Sequence, residues 1–198
     1  SYSAAGTTYK EEHVAAFVRQ HKVEVLLDIG CNTGHYVEVA LRAGVRKAVG
    51  LDIDPRALSV AVRRATSRGL AFTPLLIDIT NPSPSMGWNT TERGSFEERM
   101  IEADASLCLA LIHHLVIGHN IPLEQFVRWL VSRARVGLVE FVPKEDPMAA
   151  GLLAHREDVF PNYNEATFVQ TLLKHASILG VKAVPDSKRK LFTFSRLN

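Results

Sequence analysis

Acidic residues stand at the ends of three apolar segments in the first half of the chain, and glycines follow the first of them. The turn after the first segment contains Asp28, Gly30, Asn32 and Gly34. Glycines let a backbone approach a ligand closely, and an acidic side chain at a strand end can hold a cationic or hydroxyl-bearing group. This turn therefore predicts a loop that binds a nucleoside-containing cofactor.

Carboxylates recur where the next two apolar segments end. The second ends at Asp52 and Ile53, and the third ends at Asp78 and Ile79. A doubly wound fold holds ribose hydroxyls with a carboxylate at about the position of Asp52, so we predict that Asp52 contacts a ribose. Three acids on three successive strand ends indicate one coherent pocket more specifically than any of them does alone.

The elements that must position these residues alternate along the chain. Near-continuous apolar runs, typical of parallel strands covered on both faces, occupy residues 23–29, 48–53, 71–79, 105–112 and 136–142. Helical patterns between them occupy residues 35–43, 55–68, 95–101 and 122–133. The alternation predicts an α/β fold of the doubly wound, Rossmann-like type.

The C-terminal part departs from this rhythm. Two consecutive helices are predicted over residues 147–158 and 165–176, followed by a hairpin of strands over 178–184 and 191–194. The hairpin would complete a mostly parallel seven-stranded sheet with an antiparallel C-terminal edge. Residues 80–94 form the longest unpatterned stretch, and we expect this loop, with Trp88, to form a wall facing the substrate.

The spacing of the first turn distinguishes between cofactor classes. A dinucleotide-binding turn reads G-x-G-x-x-G, whereas this one reads D-x-G-x-x-x-G and resembles motif I of the class I S-adenosylmethionine-dependent methyltransferases. Asn32 replaces the central glycine of that motif, and asparagine tolerates left-handed backbone angles. The resemblance implies S-adenosylmethionine as cofactor, with Ile53 against the adenine face and Asp78 near the adenine amino group.

Further segments resemble one branch of this family. They are residues 81–88, 92–93, 110–115, 140–148 and 156–160. Together they resemble the bacterial nodulation-protein-like methyltransferases from about Tyr9 onward. The resemblance implies the methyltransferase fold and leaves the methyl acceptor undefined.

Two adjacent histidines follow the fourth apolar segment, beside the expected methyl donor. An imidazole of His113 or His114 there is able to accept a proton from a substrate hydroxyl or amine, and the alternative is a packed structural histidine. Because successive residues of an extended strand point to opposite faces, we expect only one of the two to face the cleft. The pair lacks the further ligands of a zinc site, so no metal is predicted.

Glu140, at the end of the fifth apolar segment, is a second candidate base. A buried glutamate at a strand end needs a partner, and the alternative to a catalytic role is an ion pair with Arg93, Arg99 or Arg156.

Composition narrows the remaining choices. The 198 residues, of which 46% are hydrophobic, fit one domain, and Ser1 in place of an initiator methionine suggests a domain cut from a longer protein, with an upstream region. No apolar run is long enough to span a membrane. Cys31 and Cys108 lie in apolar segments without a disulfide pattern, so we expect a soluble, cytoplasmic protein. The net charge of +2 does not call for a nucleic-acid partner.

The leading interpretation is a methyltransferase acting on a small-molecule or saccharide acceptor. The main alternative is a non-catalytic S-adenosylmethionine-binding module that regulates or scaffolds a larger protein. An NAD-dependent oxidoreductase is disfavoured by the glycine spacing, and an RNA methyltransferase by the lack of a concentrated basic face.

Overall fold

A seven-stranded sheet forms the centre of the molecule. The computed structural model describes residues 3–154 and 157–197. The strands are β1 (Val25–Ile29), β2 (Lys47–Asp52), β3 (Phe72–Leu76), β4 (Ala103–Cys108), β5 (Ala134–Phe141), β6 (Ala176–Ala183) and β7 (Lys190–Arg196). Their order in the sheet is β3-β2-β1-β4-β5-β7-β6.

The strand directions confirm the predicted doubly wound fold. Strands β1 to β5 pair in parallel, while β7 is antiparallel to both β5 and β6. The antiparallel strand therefore lies one position inside the C-terminal edge, and β6 forms the edge itself. Strand order reverses between β1 and β4, and in open α/β sheets ligands bind outside the carboxyl ends of the strands at such a point.

Helices cover both faces of the sheet. They are α1 (Ala4–Gln20), α2 (His35–Arg42), α3 (Pro55–Arg68), α4 (Phe96–Arg99), α5 (Leu123–Val131), α6 (Pro147–Leu153) and α7 (Glu165–Leu173). A 3₁₀ turn spans Trp88–Thr90 and a π-helix spans His114–Gly118. Asp54 caps α3 and Asp146 caps α6, each by accepting a backbone N–H, and in each helix a proline follows at the first position.

Two hydrophobic cores result, one on each side of the sheet. Alternation along β5 supplies both, since Val136 and Leu138 pack with α1, α2 and α3, whereas Val139 and Phe141 pack with α5 and α7. Burial on both faces is why these strands read as continuous apolar runs in the sequence.

The structure corrects several predicted boundaries. The strand predicted over 105–112 ends at Cys108, because Ala110 adopts a left-handed φ of 53° and the chain turns helical from Ile112. Strand β3 ends at Leu76 rather than residue 79, and the helix predicted over 147–158 ends at Leu153. Helix α1 was not predicted. In the described part of the chain, no helix is both long and apolar enough to cross a membrane.

Candidate active site

A cavity of about 570 Å³ opens at the carboxyl ends of β1, β2 and β4. Its wall contains eight of the residues that the sequence singled out, namely Asp28, Gly30, Asn32, Asp52, Ile53, Asp78, Ile79 and His114. The volume lies in the range of small-molecule and cofactor sites, which is about 300–1,000 Å³. Three acidic strand ends therefore meet at one cavity, at the switch point of the sheet.

The loop after β1 follows a tight left-handed path. Gly30, Asn32 and Gly34 have φ values of 80°, 48° and 73°, a region that side chains other than asparagine and aspartate rarely adopt. The amide of Gly30 donates to the Leu51 carbonyl at 2.8 Å, which ties the loop to β2. Asn32 thus occupies the position of the family's central glycine with the backbone conformation expected of it.

Gly34 shapes the loop without bordering the cavity. It stands at the N-terminus of α2, and a Cβ atom added to it would lie 2.4 Å from Cε1 of Phe72. Both the positive φ and this close approach require glycine. Its contribution to the site is therefore indirect, through the path of the loop.

Asp52 connects the loop to the turn that follows β2. Its Oδ2 accepts the amide of Asn32 at 2.7 Å, and its Oδ1 accepts the amide of Asp54 at 2.9 Å. Each carboxylate oxygen can accept more than one hydrogen bond, so capacity remains for ligand hydroxyls. The half-buried carboxylate is held in one orientation while it borders the cavity.

Asp28 is a buried carboxylate that forms no ion pair with the described residues. Its side chain is 3% exposed, and burial, with repulsion from Asp52, raises its pKa to about 7 despite the opposing charge of Lys10. No hydrogen bond to the carboxylate contributes to this pKa. A ligand cation in the cavity would compensate the cost of ionising Asp28.

The third strand end supplies a mixed polar and apolar surface. Oδ1 of Asp78 accepts the Thr80 hydroxyl at 2.6 Å and the Thr80 amide at 2.8 Å, and the hydroxyl contact is the main reason that its pKa is lowered. Ile53, which is 54% exposed, and Ile79 also line the cavity. A carboxylate beside uncovered aliphatic side chains suits a flat heterocycle with an amino substituent.

The two adjacent histidines have different environments. His114 borders the cavity, whereas His113 is 1% exposed and neither of its ring nitrogens has a hydrogen-bond partner among the described residues. Burial lowers the pKa of both, to about 3 for His113, so both imidazoles are neutral at pH 7. The expected division is present, but its cause is a helical turn, with His113 at φ −67° and ψ −34°, rather than an extended strand.

Glu140 does not reach the cavity wall, contrary to the expectation of a base facing the cleft. It is fully buried, with Oε2 at 2.7 Å from Nζ of Lys10 and Oε1 at 3.8 Å from a guanidinium nitrogen of Arg189. Of the three expected arginine partners, Arg99 donates to the Gly94 carbonyl instead. Of the other two, Arg93 forms no ion pair in the described part of the chain, and Arg156 lies outside the described residues.

Helix α1 contributes residues that sequence reasoning missed. Thr7 and Lys10 line the cavity, and Nζ of Lys10 lies 4.9 Å from the centre of the Tyr36 ring. His35, which also lines the cavity, pairs with Glu11 of α1 through Nε2 and Oε1 at 2.7 Å. The residues that anchor α1 to the core are spaced as on one face of a helix, a signal that the sequence analysis did not use, and nothing local links this segment to the cavity. These anchors are Val14, Phe17 and Val18.

The loop over residues 80–94 contributes little to the cavity wall. Of the loop over residues 80–94, only Thr80 borders the cavity, and Trp88 is 84% exposed away from it. Within residues 3–154 and 157–197, no group of three histidine, cysteine or acidic side chains is arranged to hold a metal ion.

Comparison with known proteins identifies the family. The family model for the methyltransferase domain matches residues 26–130, which include the glycine-bearing loop, all three strand-end aspartates and both histidines. The chain belongs to the methyltransferase domain family. The predictions of a class I methyltransferase and of S-adenosylmethionine as cofactor are thereby confirmed at the level of the family.

Individual relatives agree with this assignment. This methyltransferase domain is 46% identical over 196 residues to nodulation protein NoeA of Rhizobium meliloti (strain 1021), covering 99% of this chain and 41% of that protein. The chain thus spans less than half the length of this relative. Ribosomal protein L11 methyltransferase of Aliivibrio salmonicida (strain LFI1238) is 38% identical over 48 residues, covering 24% of this chain and 16% of that protein.

Solved structures support the fold. The N-methyltransferase NodS from Bradyrhizobium japonicum WM9 superposes with a TM-score of 0.68 at 13% identity, covering 99% of both chains. Magnesium protoporphyrin IX methyltransferase from Synechocystis PCC 6803, solved with bound S-adenosylhomocysteine (SAH), gives a TM-score of 0.68 at 18% identity, covering 97% of this chain and 84% of that one. The methyltransferase domain thus has the fold of these proteins.

Proposed function

We propose that the chain binds S-adenosylmethionine across the cavity and transfers its methyl group to a small-molecule or saccharide acceptor. The observation that carries the proposal is the convergence of Asp28, Asp52 and Asp78 on one cavity at the switch point of the sheet. Each carboxylate has a different environment, and each environment fits a different part of the cofactor.

The cofactor is oriented by these environments. Asp28, buried and without an ion pair among the described residues, lies where it can neutralise the positively charged methionine end of the cofactor. Asp52, whose carboxylate is held by two backbone amides, accepts hydrogen bonds from the ribose hydroxyls. Asp78 accepts a hydrogen bond from the adenine amino group, while Ile53 and Ile79 pack on the adenine ring.

Methyl transfer from a sulfonium is an in-line displacement that needs positioning more than covalent help from the protein. When bound, the cofactor supplies the electrophilic methyl group. His114 is a neutral imidazole in the cavity wall, so it can accept the proton that a hydroxyl or ammonium acceptor releases. The buried His113 ring packs against it, with centroids 4.2 Å apart, and limits its rotation.

The site and the relatives support the proposed class of acceptor. The cavity volume of about 570 Å³ lies in the range of small-molecule sites, which supports a small acceptor. NodS is named as an N-methyltransferase and NoeA as a nodulation protein. Amines and hydroxyls on small molecules or saccharides are therefore the acceptors to test first.

Turnover with labelled cofactor tests the proposal. The protein would be incubated with methyl-tritiated S-adenosylmethionine and a panel of amino sugars, oligosaccharides and small hydroxylated compounds. We expect label in the acceptor fraction and a matching amount of SAH over many turnovers. Stoichiometric cofactor binding without turnover on any member of the panel would favour the alternative, a non-catalytic module.

A further inference from the structure

The π-helix His114–Gly118, which follows β4, brings a second histidine into the cavity wall. The amide of His119 donates to the carbonyl of His114 at 3.0 Å, which closes a five-residue turn, and also to the carbonyl of Leu115 at 3.2 Å. In a regular α-helix, residues five apart point about 140° away from each other. The wider π-helix reduces this angle, and both imidazoles border the same cavity.

The two histidines lie at different depths. His114 is half-buried next to His113, whereas His119 follows the last residue of the π-helix and is exposed. The apolar residues between them, Leu115 to Ile117, are buried in the core beneath, which fixes the turn to the sheet. The backbone at His119 is therefore anchored by the packing of the π-helix that precedes it.

Electrostatics relates His119 to the third strand end. The pKa of Asp78 is lowered mainly by the hydrogen bond from the Thr80 hydroxyl and to a smaller extent by the charge of His119, so Asp78 and His119 lie within electrostatic range of each other. Ile53 and Ile79 also line this cavity, and Ile53 is 54% exposed. An aromatic ring at this end can pack on a planar base, as aromatic side chains do in nucleic-acid-binding proteins.

We propose that His119 is a cofactor-recognition residue whose ring packs on the adenine of S-adenosylmethionine. The π-helix His114–Gly118 positions His119 for this contact. The inference rests on the cofactor orientation proposed above. In this arrangement His114 accepts a proton from the methyl acceptor, and His119 contacts the adenosine end of the cofactor.

Calorimetric titration with SAH tests the inference in four proteins: the unsubstituted chain, His119→Ala, His119→Phe and His21→Ala. His21, at the C-terminus of α1, is the matched control because it is an imidazole outside the cavity wall. We expect His119→Ala to weaken binding about tenfold, as loss of a stacking ring would, and His119→Phe to retain affinity within about twofold. His21→Ala should leave the dissociation constant unchanged.

The outcomes separate this inference from the proposed function. Equal affinity of the unsubstituted chain and His119→Ala would overturn it, and so would a His119→Phe variant as weak as the alanine variant. Thermal unfolding of the unliganded variants checks that the fold is intact. A chain that does not bind SAH at all would instead overturn the proposed function.

Discussion

The buried carboxylate of Asp28 is predicted to destabilise the empty protein while it serves the cofactor. Its pKa is raised from 3.8 to about 7, so the folded state holds the proton more tightly than the unfolded state. The stability that comes from the protonated Asp28 carboxyl is fully present below about pH 4 and is lost as the pH rises to about 7. The interval corresponds to about 4 kcal/mol of unfolding free energy, at about 1.36 kcal/mol per pH unit.

The substitution Asp28→Asn removes the ionisation at nearly constant shape. We expect it to raise the unfolding free energy of the unliganded protein by up to about 4 kcal/mol at pH 8 and by only about 1.5 kcal/mol at pH 5. Denaturant unfolding at the two pH values measures this difference. The unsubstituted protein should bind S-adenosylmethionine more weakly as the pH falls below 7, whereas Asp28→Asn should bind it more weakly throughout and without this decline.

Asp104→Asn is the matched control, because the Asp104 carboxylate already accepts the amides of Glu24 and Val25 at 3.0 and 2.8 Å. Removing that charge weakens two hydrogen bonds, so Asp104→Asn should destabilise the protein at pH 8. A destabilised Asp28→Asn variant at pH 8, or a gain that does not change with pH, would refute the reasoning about Asp28.

Three further predictions follow from the site. Asp52→Ala should weaken cofactor binding by about 1–3 kcal/mol with little change in stability, since ribose hydroxyls lose a charged acceptor; normal binding in calorimetry would show that another group holds the ribose. His114→Ala should reduce methyl transfer by about 10²–10⁴-fold while SAH affinity stays nearly intact, measured by turnover and titration; undiminished turnover would remove the general base. Lys10→Met should lower the unfolding free energy by about 3–5 kcal/mol by leaving Glu140 with less compensation, and adding Glu140→Gln should recover part of the loss; unchanged denaturation midpoints would contradict this.

The sheet and the cofactor loop could be predicted because their signals are local. Apolar runs that end in Asp28, Asp52 and Asp78 define both the strands and the pocket, and Asn32 itself indicates a left-handed turn. Each of these residues acts within its own segment or beside the next strand. A single sequence is sufficient for features of this kind.

The features that escaped prediction depend on contacts between distant segments. Glu140 pairs with Lys10, 130 residues earlier in the chain, and such a pair leaves no local pattern. Ala110 has no intrinsic preference for a positive φ, so the end of β4 and the π-helix that follows could not be read from residue types. His119 was overlooked for the same reason, because only the π-helix brings it to the cavity.

The central claim is that the cavity is built for S-adenosylmethionine, and a calorimetric comparison of cofactors tests it most directly. S-adenosylmethionine and SAH should each bind the unsubstituted protein at one site per chain, both should bind more weakly to Asp52→Ala, and NAD should give no heat of binding. Saturable binding of NAD, with no response to S-adenosylmethionine or SAH, would contradict the account.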